Sequence, residues 1–145
     1  YDFRKTTSMH LKATCAPHYY RIMRQRAREE GVSVTPATFG MDAMTRGCLG
    51  GTGFCFISHV GQVQPCGYLT LDCGNVRTTP FPEIWRKSKP FLQFRDQSEY
   101  KGKCGVCEFH KVCGGCRARA WSMDGDYMGE EPLCTYQPRK AKEAE

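Results

Sequence analysis

Eight of the ten cysteines in this chain form one patterned array, and that array limits what the chain can fold around. Cys48 is followed by Cys55 and Cys66. After a long gap comes the dense run Cys104-x2-Cys107-x5-Cys113-x2-Cys116, and then Cys134. Thiolates packed this closely in sequence commonly share a soft metal, and eight of them provide two complete four-ligand sites. An even count also permits disulfides, but CxxC pairs are awkward as structural disulfides and natural as two ligands on one metal. No secretory signal is visible at the N-terminus, which also favours metal over an oxidised framework. Zinc ribbons typically separate their two CxxC knuckles by about fifteen or more residues. Only five residues separate Cys107 from Cys113, a compactness nearer to the runs that hold iron–sulfur clusters.

The rest of the composition fits a small folded unit that leans on such centres. At 145 residues there is room for one domain or a domain plus a fragment. Charged residues make up 25% and hydrophobic residues 40%, so disorder is not the expectation. Fifteen glycines and eight prolines indicate a loop-rich fold whose small organic core is supplemented by metal sites. No apolar stretch approaches the ~20 residues of a membrane span, and a cytoplasmic location without membrane contact is expected. The chain starts at Tyr1 rather than Met, which reads as a piece of something larger. Its net charge of +6 comes largely from Arg21, Arg24, Arg26 and Arg28 on one expected helix and from Arg139, Lys140 and Lys142 near the end. A solvated face accounts for that charge better than a dedicated nucleic-acid patch.

Leu11 to Cys15 reads as a short strand closed by Ala16-Pro17. His18 to Glu30 reads as a helix with Tyr19, Met23 and Ala27 on one face, stopped by Gly31. One strand–helix unit cannot bury a parallel strand on both faces, so residues 1–40 read as the tail of a larger α/β domain. From about residue 46 the composition shifts to Cys, Gly and aromatics. Phe54 to Ser58 and Val63 to Tyr68 read as a hairpin around His59-Val60-Gly61-Gln62. Centring the turn on Val60-Gly61 sets Cys55 opposite Cys66, with Cβ atoms about 4.5–5.5 Å apart. Pro82 and Glu83 start a short helix that Pro90 interrupts, with a second turn or short helix over Phe91 to Phe94. Trp85, Phe91 and Phe94 are expected to pack rather than bind. Arg117 to Met123 forms a last short helix, and residues 139–145 are a frayed tail.

Cys48-x12-Gly61-x4-Cys66, then Cys104-x2-Cys107-x5-Cys113-x2-Cys116 and Cys134, resembles the SPASM domain that extends many radical S-adenosylmethionine enzymes. The usual family pattern has one residue more in the last close pair; here Gly114-Gly115 fill it, as in the branch acting on tetrapyrroles. Longer strings agree with that branch: Cys48-Leu-Gly-Gly-Thr-Gly-Phe-Cys-Phe-Ile-Ser58, Pro65-Cys-Gly-Tyr-Leu69, Gly74-Asn-Val-Arg77 and Cys113-Gly-Gly-Cys-Arg-Ala-Arg119. Gly125-Asp-Tyr127 and Glu131-Pro132 complete a resemblance that covers about residues 10–138. The branch includes the didecarboxysirohaem deacetylase, the haem synthase that decarboxylates coprohaem, and the enzyme of the nitrite-reductase haem.

The resemblance implies an α+β, loop-rich iron–sulfur domain over residues 46–138, with a β-hairpin and short helices. Residues 1–40 would be the last strand and helix of a partial (β/α) barrel. It implies two [4Fe–4S] clusters. Cys48, Cys55, Cys66 and Cys116 would hold auxiliary cluster I, and Cys104, Cys107, Cys113 and Cys134 auxiliary cluster II. The shortened CGGC spacing keeps a single auxiliary cluster with spare thiols as the alternative. The CxxxCxxC motif for the radical-generating cluster is absent from the chain, so this fragment alone is expected to be inactive. A third [4Fe–4S] cluster and S-adenosylmethionine belong to an N-terminal radical barrel, in cis or as a split subunit. A tetrapyrrole substrate and an external electron donor or acceptor complete the expected partners.

Arg117 and Arg119 adjoin Cys116 and offer planar forks for tetrapyrrole carboxylates or for offsetting thiolate charge. His18 is expected to cap or pack rather than ligate haem iron, and His59 and His110 to face solvent or support ligands. Cys15 reads as a structural thiol with a lesser prospect of a site role at the barrel mouth, and Cys73 as a free small residue. Two rivals remain: a peptide-modifying SPASM enzyme, and a structural zinc module binding protein or nucleic acid through its arginines.

Overall fold

Helix α1 (His18–Glu29) forms where Tyr20, Met23 and Ala27 recur at three- and four-residue spacing, and all three are buried. Tyr20 takes the place expected for Tyr19, which is only half-buried at the edge of the cluster. The computed structural model describes residues 1–9 and 11–139. Phe39 of α2 (Pro36–Phe39) packs on the same face of α1. Thr35 opens α2 with a reciprocal capping box to Thr38, and Pro36 sits in its first turn. The next turn, α3 (Met41–Met44), supplies buried Asp42, which pairs with Arg4 of the 3-10 turn Asp2–Thr6 at 2.6 Å.

The strand expected over Leu11 to Cys15 does not form; Leu11 to Ala13 lack regular structure and Thr14-Cys15 make a turn. A strand needs a neighbour to take its N–H and C=O groups, and the one sheet among the described residues lies elsewhere. Of the strand and helix expected within residues 1–40, the helix forms and the strand does not.

The hairpin forms, shorter than expected and one residue out of register. Strand β1 (Phe56–Ile57) pairs antiparallel with β2 (Val63–Gln64), matching Phe56 with Gln64 and Ile57 with Val63. Continuing that register sets Cys55 across from Pro65 rather than Cys66. Pro65 has no N–H to extend the ladder, and Cys66 instead bridges Leu69. The turn closes through Ser58 N–H to Gln62 O at 2.9 Å and Gly61 N–H to Ser58 O at 2.8 Å, with Gly61 at φ +86°. Asn75 and Arg77 brace it from behind: Asn75 Nδ2 donates to Val60 O at 3.1 Å and Arg77 Nη2 to His59 O at 3.0 Å.

Helices α4 (Phe81–Lys87) and α5 (Lys89–Arg95) are separated at Ser88, and Pro90 lies in the first turn of α5. Ile84 and Phe91 pack with Val63 and Cys73, while Phe94 joins Leu69 and Ala118. Trp85 packs tilted against Phe91, ring centroids 4.8 Å apart, and lies under the Arg95 guanidinium at 4.5 Å, so these aromatics are packing residues. Helix α6 (Gly102–Val106) carries Cys104, and α7 (Arg117–Asp124) follows directly from Cys116. The apolar residues thus form three small clusters instead of one core. No helix among the described residues is long and apolar enough to cross a membrane. Of the expected tail, residues 140–145, with Lys140 and Lys142, lie outside the described residues.

Candidate metal centres

No disulfide joins any of the ten cysteines. Cys104, Cys107, Cys113 and Cys134 line one cleft. Helix α6 delivers Cys104 and ends at Cys107, whose carbonyl starts the turn that returns the chain to Cys113. Gly114 and Gly115 follow at φ +71° and +61°, and a Cβ on Gly115 would stand 3.3 Å from Cys104 Sγ. The wall is kept thin where that sulfur lies. Donors point at the sulfurs: Glu131 N–H to Cys104 Sγ at 3.3 Å, Arg117 Nη2 to the same sulfur at 3.4 Å, and Phe109 N–H to Cys107 Sγ at 3.4 Å. Such donors stabilise thiolates and bound sulfur. Burial pushes the Cys113 thiol up to about 11, with Cys104, Cys134 and Cys107 adding like-charge resistance. A cationic centre reverses that penalty, so the donor set fits an iron–sulfur cluster. Among the described residues no three His, Cys, Asp or Glu side chains converge as they would on a single ion; these four ring a cavity.

The second group gathers around Cys66 and Cys116, which pack against the Leu69–Phe94–Ala118 cluster. Cys48 N–H donates to Cys113 O at 3.3 Å and Gly47 N–H to Val112 O at 2.9 Å, lacing the first loop to the second cysteine set. Burial raises the Cys66 thiol, and the charges of Cys48, Cys116 and Cys15 raise it further. Cys55 packs against the cluster of Val63, Cys73, Ile84 and Phe91.

Glu131 joins the two groups. It is 1% exposed and accepts from Arg119 Nε at 2.7 Å, Arg119 Nη2 at 2.8 Å, Cys116 N–H at 2.5 Å and Leu133 N–H at 3.2 Å. Burial alone would raise its carboxyl, but the Arg119 fork and the two N–H groups outweigh it and hold it below the usual carboxylate range. Sequence reasoning passed over this residue. Its signal was an acid three positions before Cys134, in a stretch whose two arginines need a counter-charge.

Arg117 is 1% exposed and committed inward, to Gly129 O at 2.5 Å, Tyr127 O at 3.3 Å and Cys104 Sγ, with its guanidinium over Tyr100 at 4.6 Å. Arg119 is half-buried and clamped on Glu131. His18 opens α1 and lines the four-cysteine cleft with its Nε2 buried and without a partner. His110 also lines it, with Nδ1 2.6 Å from Cys107 O, whereas His59 sits in the exposed hairpin turn. On α1, Arg26 pairs with Asp2 and Glu29, and Arg21 lies over Tyr136 at 4.7 Å.

Cysteine loops that ring a cleft and carry N–H donors onto the sulfurs have the features an iron–sulfur site requires. Residues 48–117 belong to the SPASM family, an iron–sulfur cluster-binding domain. The chain is 84% identical over 140 residues to an AdoMet-dependent heme synthase of Nitratidesulfovibrio vulgaris, covering 97% of this chain and 38% of that protein. It is 58% identical to the enzyme of the same name from Methanosarcina barkeri, over 97% of this chain and 40% of the relative. A PqqA peptide cyclase of Bradyrhizobium diazoefficiens is 35% identical over 63% of this chain and 26% of its own length. The chain thus spans about two fifths of the heme synthases it matches.

Proposed function

We propose that this chain is the auxiliary-cluster domain of a radical S-adenosylmethionine enzyme that modifies tetrapyrrole side chains in haem biosynthesis. The single observation that carries the reading is the cleft ringed by Cys104, Cys107, Cys113 and Cys134 with donors aimed at the sulfurs. High identity to heme synthases supports the tetrapyrrole branch over the peptide-modifying one, whose relative is more distant and covers less of the chain.

The reading includes two [4Fe–4S] clusters, one in that cleft and one at Cys48, Cys66 and Cys116 with a fourth ligand. When bound, such clusters supply one-electron transfer. The chain's own residues hold the ligands, exclude water and neutralise charge. Arg117 keeps Cys104 Sγ in place and compensates negative charge there. Glu131 and Arg119 fix the backbone of Cys116 beside the second loop. Arg119, at the edge of this network and part-exposed, is the better placed of the two arginines to meet a substrate carboxylate. The radical step, with S-adenosylmethionine and a third cluster, is assigned to a barrel portion of the longer protein, as is most of the substrate site.

Anaerobic reconstitution with iron and sulfide tests the reading. About eight irons and a brown chromophore per chain are expected. A colourless protein retaining two zinc ions would favour the structural zinc module and end the proposal.

A further inference from the structure

We propose that Cys15, rather than Cys55, is the fourth cysteine of the site formed by Cys48, Cys66 and Cys116. The inference rests on the two-cluster reading above and assigns a ligand from outside the SPASM region, which starts at Cys48.

Contacts from two directions bring the Cys15 segment to that site. From α7, Arg119 donates through Nη1 to Cys15 O at 3.4 Å, while its other nitrogens hold the Glu131 carboxylate that accepts from Cys116 N–H. One arginine thus ties Cys15 to Cys116. From the first cysteine loop, Gly47 is pressed against Pro17: a Cβ on Gly47 would stand 2.6 Å from Pro17 Cα and 2.5 Å from Cys113 O. The residue before Cys48 is therefore in van der Waals contact with the residue two beyond Cys15. Cys66 and Cys116 in turn share one packing cluster.

Cys55 has none of these links. It packs into the Val63–Ile84–Phe91 cluster beside Cys73, and the hairpin register sets it across from Pro65. Cys15 itself is exposed, and it alone among the described non-glycine residues has a positive φ, +55°. On ligation its S–H would give a proton to solvent and its sulfur would bond to iron, with no change in electron count. Such a ligand would staple the segment that opens α1 to the cluster region.

The test uses the natural full-length polypeptide, reconstituted anaerobically with ferrous iron and sulfide, with Cys15→Ala and Cys55→Ala made separately. Cys15→Ala is expected to lose about four irons relative to the parent, or to convert one centre to a three-iron form seen by electron paramagnetic resonance. Cys55→Ala is expected to match the parent. The reverse pattern, equal loss in both, or loss in neither would overturn the inference while leaving the two-cluster reading standing. A parent that takes up no iron would overturn both. Because a variant can fail through misfolding, the unaltered protein is also footprinted with iodoacetamide before and after iron loading. Loading is expected to slow labelling of Cys15 by about tenfold or more, since a ligating sulfur is no longer a free nucleophile. Unchanged labelling of Cys15 would overturn the inference.

Discussion

At the scale of single residues, charge compensation around Glu131 and Arg117 organises the sulfur sites. A carboxylate this buried stays ionised only because Arg119 and two N–H groups surround it. Glu131→Ala leaves those donors unpaired, and since Arg119 keeps some solvent the expected cost is about 2–3 kcal/mol, measured by urea unfolding. Arg117→Met removes a cation and a donor from Cys104 Sγ, so the cluster at that site should show a lower reduction potential in a redox titration. Gly115→Ala is expected to cost more than about 1 kcal/mol, because φ is +61° and the new Cβ would collide with Arg117 Nη2. Iron content at the Cys104–Cys134 site should fall with it. The spacing of the cysteines was legible in the sequence because it is a local property. The inward commitment of Arg117 was not, since its acceptors at Tyr127 and Gly129 arrive from another loop.

Among the elements, those with local causes could be read ahead of the structure. Helix α1 follows from its apolar spacing, and α7 from the turn signal at Asp124-Gly125, where Gly125 N–H closes on Trp121 O at 2.8 Å. The Leu11–Cys15 strand does not form; alternation and β-propensity say nothing about whether a partner strand is present. The hairpin register slipped by one residue because Pro65 ends the ladder and a five-residue connection replaces the tighter turn. Gly61→Ala tests that connection. At φ +86°, with a new Cβ 2.6 Å from Asn75 Oδ1, it should cost about 1–3 kcal/mol and loosen the brace from Asn75 and Arg77. Faster hydrogen exchange at Val63 and Val76, whose N–H groups bond to Gly74 O and Gly61 O, would report it.

Across the whole molecule, three small apolar clusters are bridged by cysteine loops and ion pairs. The two cysteine groups are interlaced, since Cys48 N–H donates to Cys113 O and Cys116 shares Glu131 with the second loop. Removing iron with a chelator should therefore lower the melting temperature of the whole region by roughly 10 °C or more, instead of loosening one loop. Two separate transitions on chelation would contradict that coupling. The sequence by itself determined the donor chemistry, the CxxC spacing and the main helices, because each depends on neighbours a few residues away. Only the tertiary structure decided which cysteines face one another, where the hairpin ladder stops, and which acid answers the arginines. Those are distances between segments tens of residues apart, set by how the loops pack.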